Sequence, residues 1–171
     1  MNHILQLEPL TKDAFAPFGD VLEVAGAPDK IINQGLCGRY HDCARIDIVD
    51  GTAGISLFDA TPRSLPITLE MVERHPEGSQ AFLPMSFHSF VVVVAPDEAG
   101  SPGQPRAFLT APGQGVNYAR GTWHGVLTPL HAPGLFAVVD RIGDGANLQE
   151  HWFDTPFIIE GEDASASEEA G

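Results

Sequence analysis

Short strand-like runs, each cut off by proline or glycine, constrain this chain more than any other feature. The 171 residues include 14 prolines and 18 glycines. Proline removes a backbone donor and glycine relaxes the sterics of tight turns, so a chain this densely punctuated favours strands and turns over long helices. Residues 44–49 alternate apolar and charged side chains, as a half-buried strand does. Residues 67–72 alternate around Thr68 and Glu70. Residues 21–24, 54–58, 80–85, 105–110 and 116–118 are further candidates, and 90–95 suits one fully buried strand. Residues 135–140 form the last strong run, and Trp152 and Phe153 are expected to pack a closing segment. Many short strands with regular turn signals predict a sandwich or barrel. Thr11 is placed to N-cap a single helical turn with Phe15 on its inner face, before Pro17 and Gly19 stop it. The competing fold is α+β with one helix near the N-terminus.

Charge narrows the partners. The net charge is −14 and the pI about 4.6. So acidic a chain repels phosphate backbones, which argues against a nucleic-acid partner. An anionic substrate needs specific arginine contacts rather than a general positive field. Part of the charge is local. Residues 160–171 carry Glu160, Glu162, Asp163, Glu168 and Glu169 with no base, and read as an acidic, disordered tail after a domain spanning 1–159. Cys37 and Cys43 form no CxxC pair, the N-terminus has no signal-like apolar region, and no run reaches membrane-span length. The expectation is a reduced, cytoplasmic protein with no membrane partner.

Two stretches are dense in groups that bind metals or anions. In residues 73–82, Glu73 and His75 share one face of a strand because side chains repeat with period two. Gln80 follows a Pro-Glu-Gly-Ser turn and can return from the neighbouring strand. A carboxylate, an imidazole and an amide suit a divalent cation with mixed ligands, and equally suit acid–base chemistry. A surface hairpin with a solvated Glu and His is the competing reading. In residues 117–124, His124 follows Gly121, and Tyr118 and Arg120 share a face. Both can bind a carboxylate, the arginine through a bidentate fork. Here the competing reading is a glycine turn with Trp123 in the core and His124 at the rim.

Three smaller features have open roles. Arg39, Tyr40 and His41 can approach a barrel mouth, or form a solvated turn or dimer contact. Asp140 can hydrogen-bond a site residue, or pair with Arg141 at the surface. His3, His88, His131 and His151 have no convergent partners in the sequence and read as surface.

Taken together, Glu73-x-His75-x4-Gln80 and Gly121-x-x-His124 resemble the two metal-binding motifs of the cupin superfamily. Glu73 stands where that pattern has its first histidine, Gln80 where it has glutamate, and Ala119 where it has proline. Neutral Gln80 implies weaker cation binding than in a standard site. A wider set resembles the ureidoglycolate lyase family over residues 5–153: Phe15-x-x-Phe18-Gly19-Asp20-Val21, Arg39-Tyr40-His41-Asp42, Glu73-Arg74-His75-Pro76, Ser79-Gln80-Ala81-Phe82, Gly115-Val116-Asn117-Tyr118, Trp123-His124 and Asp140-Arg141. The resemblance implies an all-β, cupin-like β-barrel of jelly-roll type, a homodimer, and cleavage of (S)-ureidoglycolate to glyoxylate and urea in allantoin degradation. It implies a divalent metal, nickel being the one associated with the family, and no organic cofactor. Mapped onto these residues, it makes Glu73, His75, Gln80 and His124 the metal ligands, with Glu73, His75 and His124 as the catalytic groups. Arg74, Gln80, Asn117, Tyr118 and Arg120 are then the substrate contacts. The alternative is a non-catalytic cupin that binds or senses a small organic acid.

Overall fold

All six residues of the run Phe90–Ala95 are buried, so this strand needs apolar partners on both of its faces. The computed structural model, which describes residues 3–163, supplies them. The chain begins with β1 (His3–Pro9), α1 (Lys12–Phe15) and β2 (Gly19–Leu22), then a small hairpin, β3 (Lys30–Ile32) and β4 (Cys37–Arg39). Four longer strands follow: β5 (Thr52–Asp59), β6 (Ile67–Arg74), β7 (Gln80–Pro84) and β8 (Phe90–Ala95). A second hairpin, β9 (Asp97–Glu98) and β10 (Ser101–Pro102), leads into β11 (Arg106–Leu109), β12 (Gly115–Tyr118), β13 (Trp123–His124) and β14 (Thr128–Pro129). The chain closes with β15 (Leu135–Ile142) and β16 (Gln149–Glu160).

Strands β11, β1, β16, β6, β13 and β8 follow one another by hydrogen bonds, and β8 pairs back onto β11. The result is a closed six-stranded barrel with no free edge between these strands. A second sheet, ordered β2-β12-β7-β15-β5, lies over one side. The all-β, cupin-like barrel with a short N-terminal helical turn is therefore the observed fold. Thr11 caps that turn, accepting a 3.2 Å hydrogen bond from Ala14 N, and Phe15 is fully buried.

The barrel and the second sheet create two interiors. Val91, Val93 and Ala95 point into the barrel with Leu5, Trp123 and Ile159. Phe90, Val92 and Val94 point the other way, into a core shared with Val116, Phe136 and Val138 of the second sheet. Period-two alternation along one strand thus feeds both cores. Where β2 meets β12 the backbones come close. Gly19 has φ +151, and a Cβ there would collide with the Asn117 carbonyl oxygen. Glycine is needed at this contact.

One expectation changes, and one strand has no counterpart in the sequence reading. Residues 44–49 are not a strand; they form one isolated bridge, Ile48 with Gly78. Side chains and a neighbouring turn satisfy this segment instead. Asp47 N donates to Ser79 Oγ at 2.9 Å, Ser79 N to Asp47 O at 2.8 Å, and Arg45 N to Asp20 Oδ2 at 3.2 Å. In addition, β1 enters the barrel through parallel pairing with β11 and β16. The segment beginning at Glu160 starts as strand, opposite Gln6, and residues 164–171 of the expected tail lie outside the described residues. No helix among the described residues is long and apolar enough to cross a membrane.

Phe15 touches the rings of Phe18, Phe108 and Tyr118 at centroid distances of 6.1, 6.1 and 6.2 Å. Phe15→Ala is expected to lower the unfolding free energy by about 3–5 kcal/mol through cavity formation. Leu36→Ser, at a position 88% exposed, should stay within about 0.5 kcal/mol. Urea unfolding of the two variants tests the pair, and equal effects would contradict the core assignment.

Candidate metal centre and active site

Strand register sets one polar row on the barrel wall. Glu150 lies opposite Glu73, Glu73 opposite His124, and His124 opposite Val94. Directly paired residues share a face, and Val94 belongs to the core between the sheets. Glu73 and His124 therefore face that interior. On the second sheet Tyr118 pairs with Gln80. These two share their face with Val116, Phe82 and Val138 by alternation, and Asp140 continues the row along β15. The rows meet where the Tyr118 ring lies flat on the His124 ring, 4.2 Å between centroids and 5° between planes.

His75 sits just past the end of β6, in a turn held by Gly121 N donating to its carbonyl at 2.9 Å. Its ring centroid is 5.2 Å from that of His124, and its Nε2 is 3.9 Å from Glu73 Oε1. The potential ligand atoms of Glu73, His75 and His124 all lie within 4.8 Å of one another.

The tautomers follow from the neighbours. His75 Nδ1 is 2.8 Å from the Asn147 carbonyl oxygen, and His124 Nδ1 is 2.9 Å from that of Gly125. A carbonyl only accepts, so each Nδ1 donates, and in the neutral imidazole Nε2 then carries the lone pair. Both Nε2 atoms are buried and have no hydrogen-bond partner in the protein. Buried polar atoms are ordinarily paired. Two lone pairs beside a carboxylate, with each imidazole oriented through a carbonyl, form the donor set of a divalent cation site. The residues present fit a metal.

Electrostatics agree. Burial drives the His124 pKa down to about 3, the Gly125 carbonyl opposing and His75 assisting, so its imidazole is neutral. Burial raises the Glu73 carboxyl above its ordinary value, against the pull of His75 and with the push of Glu150. Tyr118 is held as a neutral phenol, first by burial and then by the Glu73 charge.

The other expected site residues divide. Gln80 stands on the facing wall, its Nε2 donating to Asp140 Oδ2 at 3.1 Å and its Oε1 buried without a protein partner. Arg120 sits at the rim with its side chain 42% exposed, bonded to Asp47 Oδ2 at 3.1 Å and to the Pro76 carbonyl at 3.3 Å. Two expected substrate contacts are not brought to the cluster. Arg74 follows Glu73 on the strand and so points to the opposite face. There it bonds Gln149 and Asp97, both at 2.7 Å, and lies 4.4 Å over the Trp123 ring. Asn117 precedes Tyr118 and is turned away for the same reason, donating to Asp20 Oδ2 and the Arg45 carbonyl at 3.0 and 2.9 Å.

Residues 39–41 belong to a separate loop. The Tyr40 hydroxyl donates to the Gly26 carbonyl, and His41 N to Asp29. Arg141 has a buried side chain that holds Glu77 at 2.8 Å and the carbonyls of Val49, Asp50 and Asp144. The sequence reading missed Asn147 and Glu150. Asn147 orients His75 through its carbonyl and fixes the 73–82 turn by accepting from Glu77 N at 2.8 Å. Its segment carries no motif, and only the register of β16 on β6 brings Glu150 beside Glu73.

Comparison with known proteins gives a consistent picture. A family model described as ureidoglycolate lyase matches residues 2–160. A ureidoglycolate lyase of Rhodobacter capsulatus is 62% identical over 92% of this chain and 98% of its own length. A ureidoglycolate lyase of a Chelativorans species is 54% identical over 89% of this chain and 93% of its own length. Ureidoglycolate lyase 2 of Rhizobium meliloti is 52% identical over 91% and 97%.

His124 gives the site a pH signature. The unfolded chain protonates this histidine near its ordinary 6.5, whereas the folded chain resists until about 3. The unfolded state therefore takes the proton first, and stability falls as pH drops through that window, by up to ~1.4 kcal/mol per pH unit for one proton. Glu73, raised in the fold, acts with the opposite sign at lower pH. Urea unfolding of wild type and His124→Gln between about pH 6.5 and 5 should show the slope in wild type and its loss in the variant. An unchanged slope would place the titration elsewhere.

Proposed function

This chain belongs to the ureidoglycolate lyase family, and from that premise we propose that the polar layer between its sheets cleaves (S)-ureidoglycolate to glyoxylate and urea, a step of allantoin degradation. The observation that carries the reading is the pair of buried, unpartnered Nε2 lone pairs on His75 and His124 beside the Glu73 carboxylate. Ureidoglycolate is a carbinolamine. Its hydroxyl loses a proton, the oxygen pair re-forms the carbonyl, and the C–N bonding pair leaves on the urea nitrogen, which takes up a proton. No water is consumed.

Glu73, His75 and His124 would hold a divalent cation, nickel by family resemblance, whose chemistry when bound is Lewis-acid polarisation of oxygen. With Nδ1 fixed on a carbonyl, the neutral His124 imidazole presents Nε2 as donor of a lone pair, not of a proton, and Nδ1 of His75 is fixed on a carbonyl in the same way. Glu73 is the proton carrier of the set, because its carboxylate has a second oxygen besides the one that a cation would take. It accepts the hydroxyl proton and returns one to the leaving nitrogen. Tyr118, kept as a phenol, is a neutral donor in the wall. Arg120 clamps the substrate carboxylate from the rim, where Asp47 already orients its guanidinium.

The assembly we propose is a homodimer. β5 is an edge strand, and its outward Ile55 and Leu57 are 77% and 71% exposed. Ala137 and Val139 share that face. Exposed apolar edges of this kind are ordinarily covered. The proposed setting is the cytoplasm, where Cys37 and Cys43 remain free thiols.

Purified protein should release glyoxylate and urea in equal amounts from ureidoglycolate, lose activity on chelation and regain it with a divalent ion. Ammonia at the same step would point to amidohydrolysis, and saturable binding without turnover to a binding protein. Glu73→Gln should lower kcat by about 10²–10⁴. For the assembly, Leu57→Glu should shift light-scattering mass from dimer to monomer, and a wild-type monomer would overturn that part.

A further inference from the structure

The Gln80 carboxamide is buried, and its two ends are treated differently. Nε2 donates to Asp140 Oδ2 at 3.1 Å, while Oε1 has no partner in the protein. The orientation is chemically enforced. Reversing the amide would set two acceptor oxygens against each other at that distance, which a carboxylate does not tolerate. Gln80 pairs directly with Tyr118, whose ring covers His124, and Asp140 continues the same row. An acceptor is therefore held fixed in the wall that faces the Glu73, His75 and His124 cluster.

The substrate class proposed above has two chemically distinct ends. The carboxylate offers only acceptors, whereas the ureido group offers several N–H donors. The metal-binding cluster and Arg120 suit the first end. The oriented Gln80 carbonyl suits the second. We propose that Asp140 is a positioning residue that locks the Gln80 carboxamide with its oxygen presented to the site, making this wall a subsite that selects the ureido group through its N–H donors. The inference rests on the lyase reading and assigns the specificity of the leaving-group side. A site that reads a donor through a fixed acceptor rejects analogues lacking that donor. It needs the acceptor's direction to be set before binding, and a neutral partner at position 140 would not set it.

Urea and glyoxylate, each used as a product inhibitor of the metal-loaded enzyme, probe the two ends separately. Asp140→Ala should raise the inhibition constant of urea about tenfold, the scale of one hydrogen bond, and raise KM for ureidoglycolate. The constant for glyoxylate should stay within about twofold and the bound metal should be unchanged. Asp140→Asn should fall between, since its Oδ1 can still accept from Gln80 but its amide no longer forbids reversal. Gln80→Leu, which keeps apolar volume and removes the acceptor, should reproduce the urea effect, so the idea stays testable if one variant folds poorly. A parallel rise in both inhibition constants, no rise in either, or no measurable urea inhibition of wild type would overturn the subsite. Loss of kcat with KM intact in Asp140→Asn would also overturn it, making Asp140 a proton-transfer group. Failure of wild type to form glyoxylate and urea would instead remove the lyase reading itself.

Discussion

Each strand of the barrel wall that borders the second sheet has two interiors to supply, and period-two alternation decides which side chain goes to which. On β8 the odd positions fill the barrel and the even positions fill the space between barrel and sheet. The same rule sends Trp123 to the barrel side and His124 into the gap, and turns Glu73 into the gap while Arg74 goes to the side of Trp123. A one-residue slip would exchange both pairs and leave no site. What resists the slip lies on the opposite face. Arg74 covers the Trp123 ring, and Asp97 accepts from both Arg74 and the Trp123 indole, at 2.7 and 2.9 Å. The placing of Glu73 and His124 thus depends on contacts that never touch them.

The candidate site is a polar layer at one end of the inter-sheet core. Deeper layers hold Val92, Val116, Phe82, Phe136 and Val138; the last holds His124, Tyr118, Gln80, Asp140 and Glu73. Burying that layer is costly, because lone pairs on His75, His124 and Gln80 are left without protein partners. Backbone carbonyls recover part of the cost by fixing each Nδ1 proton. A bound cation would recover more, answering both imidazoles and the raised carboxyl of Glu73 at once. Perturbed groups gathered in this way mark sites shaped for binding and chemistry.

Much of this was readable in the sequence, and the failures have physical causes. Spacing alone put Glu73 and His75 on one face, and Tyr118 and Arg120 on another. The capped turn at Thr11 and the fully buried run at 90–95 were equally plain. The same period-two rule, applied one residue further, puts Arg74 and Asn117 on the faces opposite those of Glu73 and Tyr118. Residues 44–49 alternate like a strand, yet Ser79 and Asp20 side chains satisfy their backbone groups, and pattern cannot separate these cases. Asn147 and Glu150 were invisible because their roles come from register and from a backbone carbonyl, neither of which leaves a local signature.

Cations raise the remaining question of how so acidic a chain can hold an anionic substrate. It has 9 Lys and Arg against 23 Asp and Glu, and most of the arginines near the site serve architecture. Arg141 is sunk among Glu77 and three loop carbonyls, and Arg74 is fixed on Trp123. Arg120 differs. It is partly exposed, and its ion pair is with a half-exposed Asp47, a contact weak enough in water for a substrate carboxylate to share or displace. Long-range attraction is therefore absent, and recognition has to be local. One adaptable guanidinium at the rim, a cation-binding cluster behind it and an oriented amide opposite would let a small anion bind while the general field excludes larger polyanions.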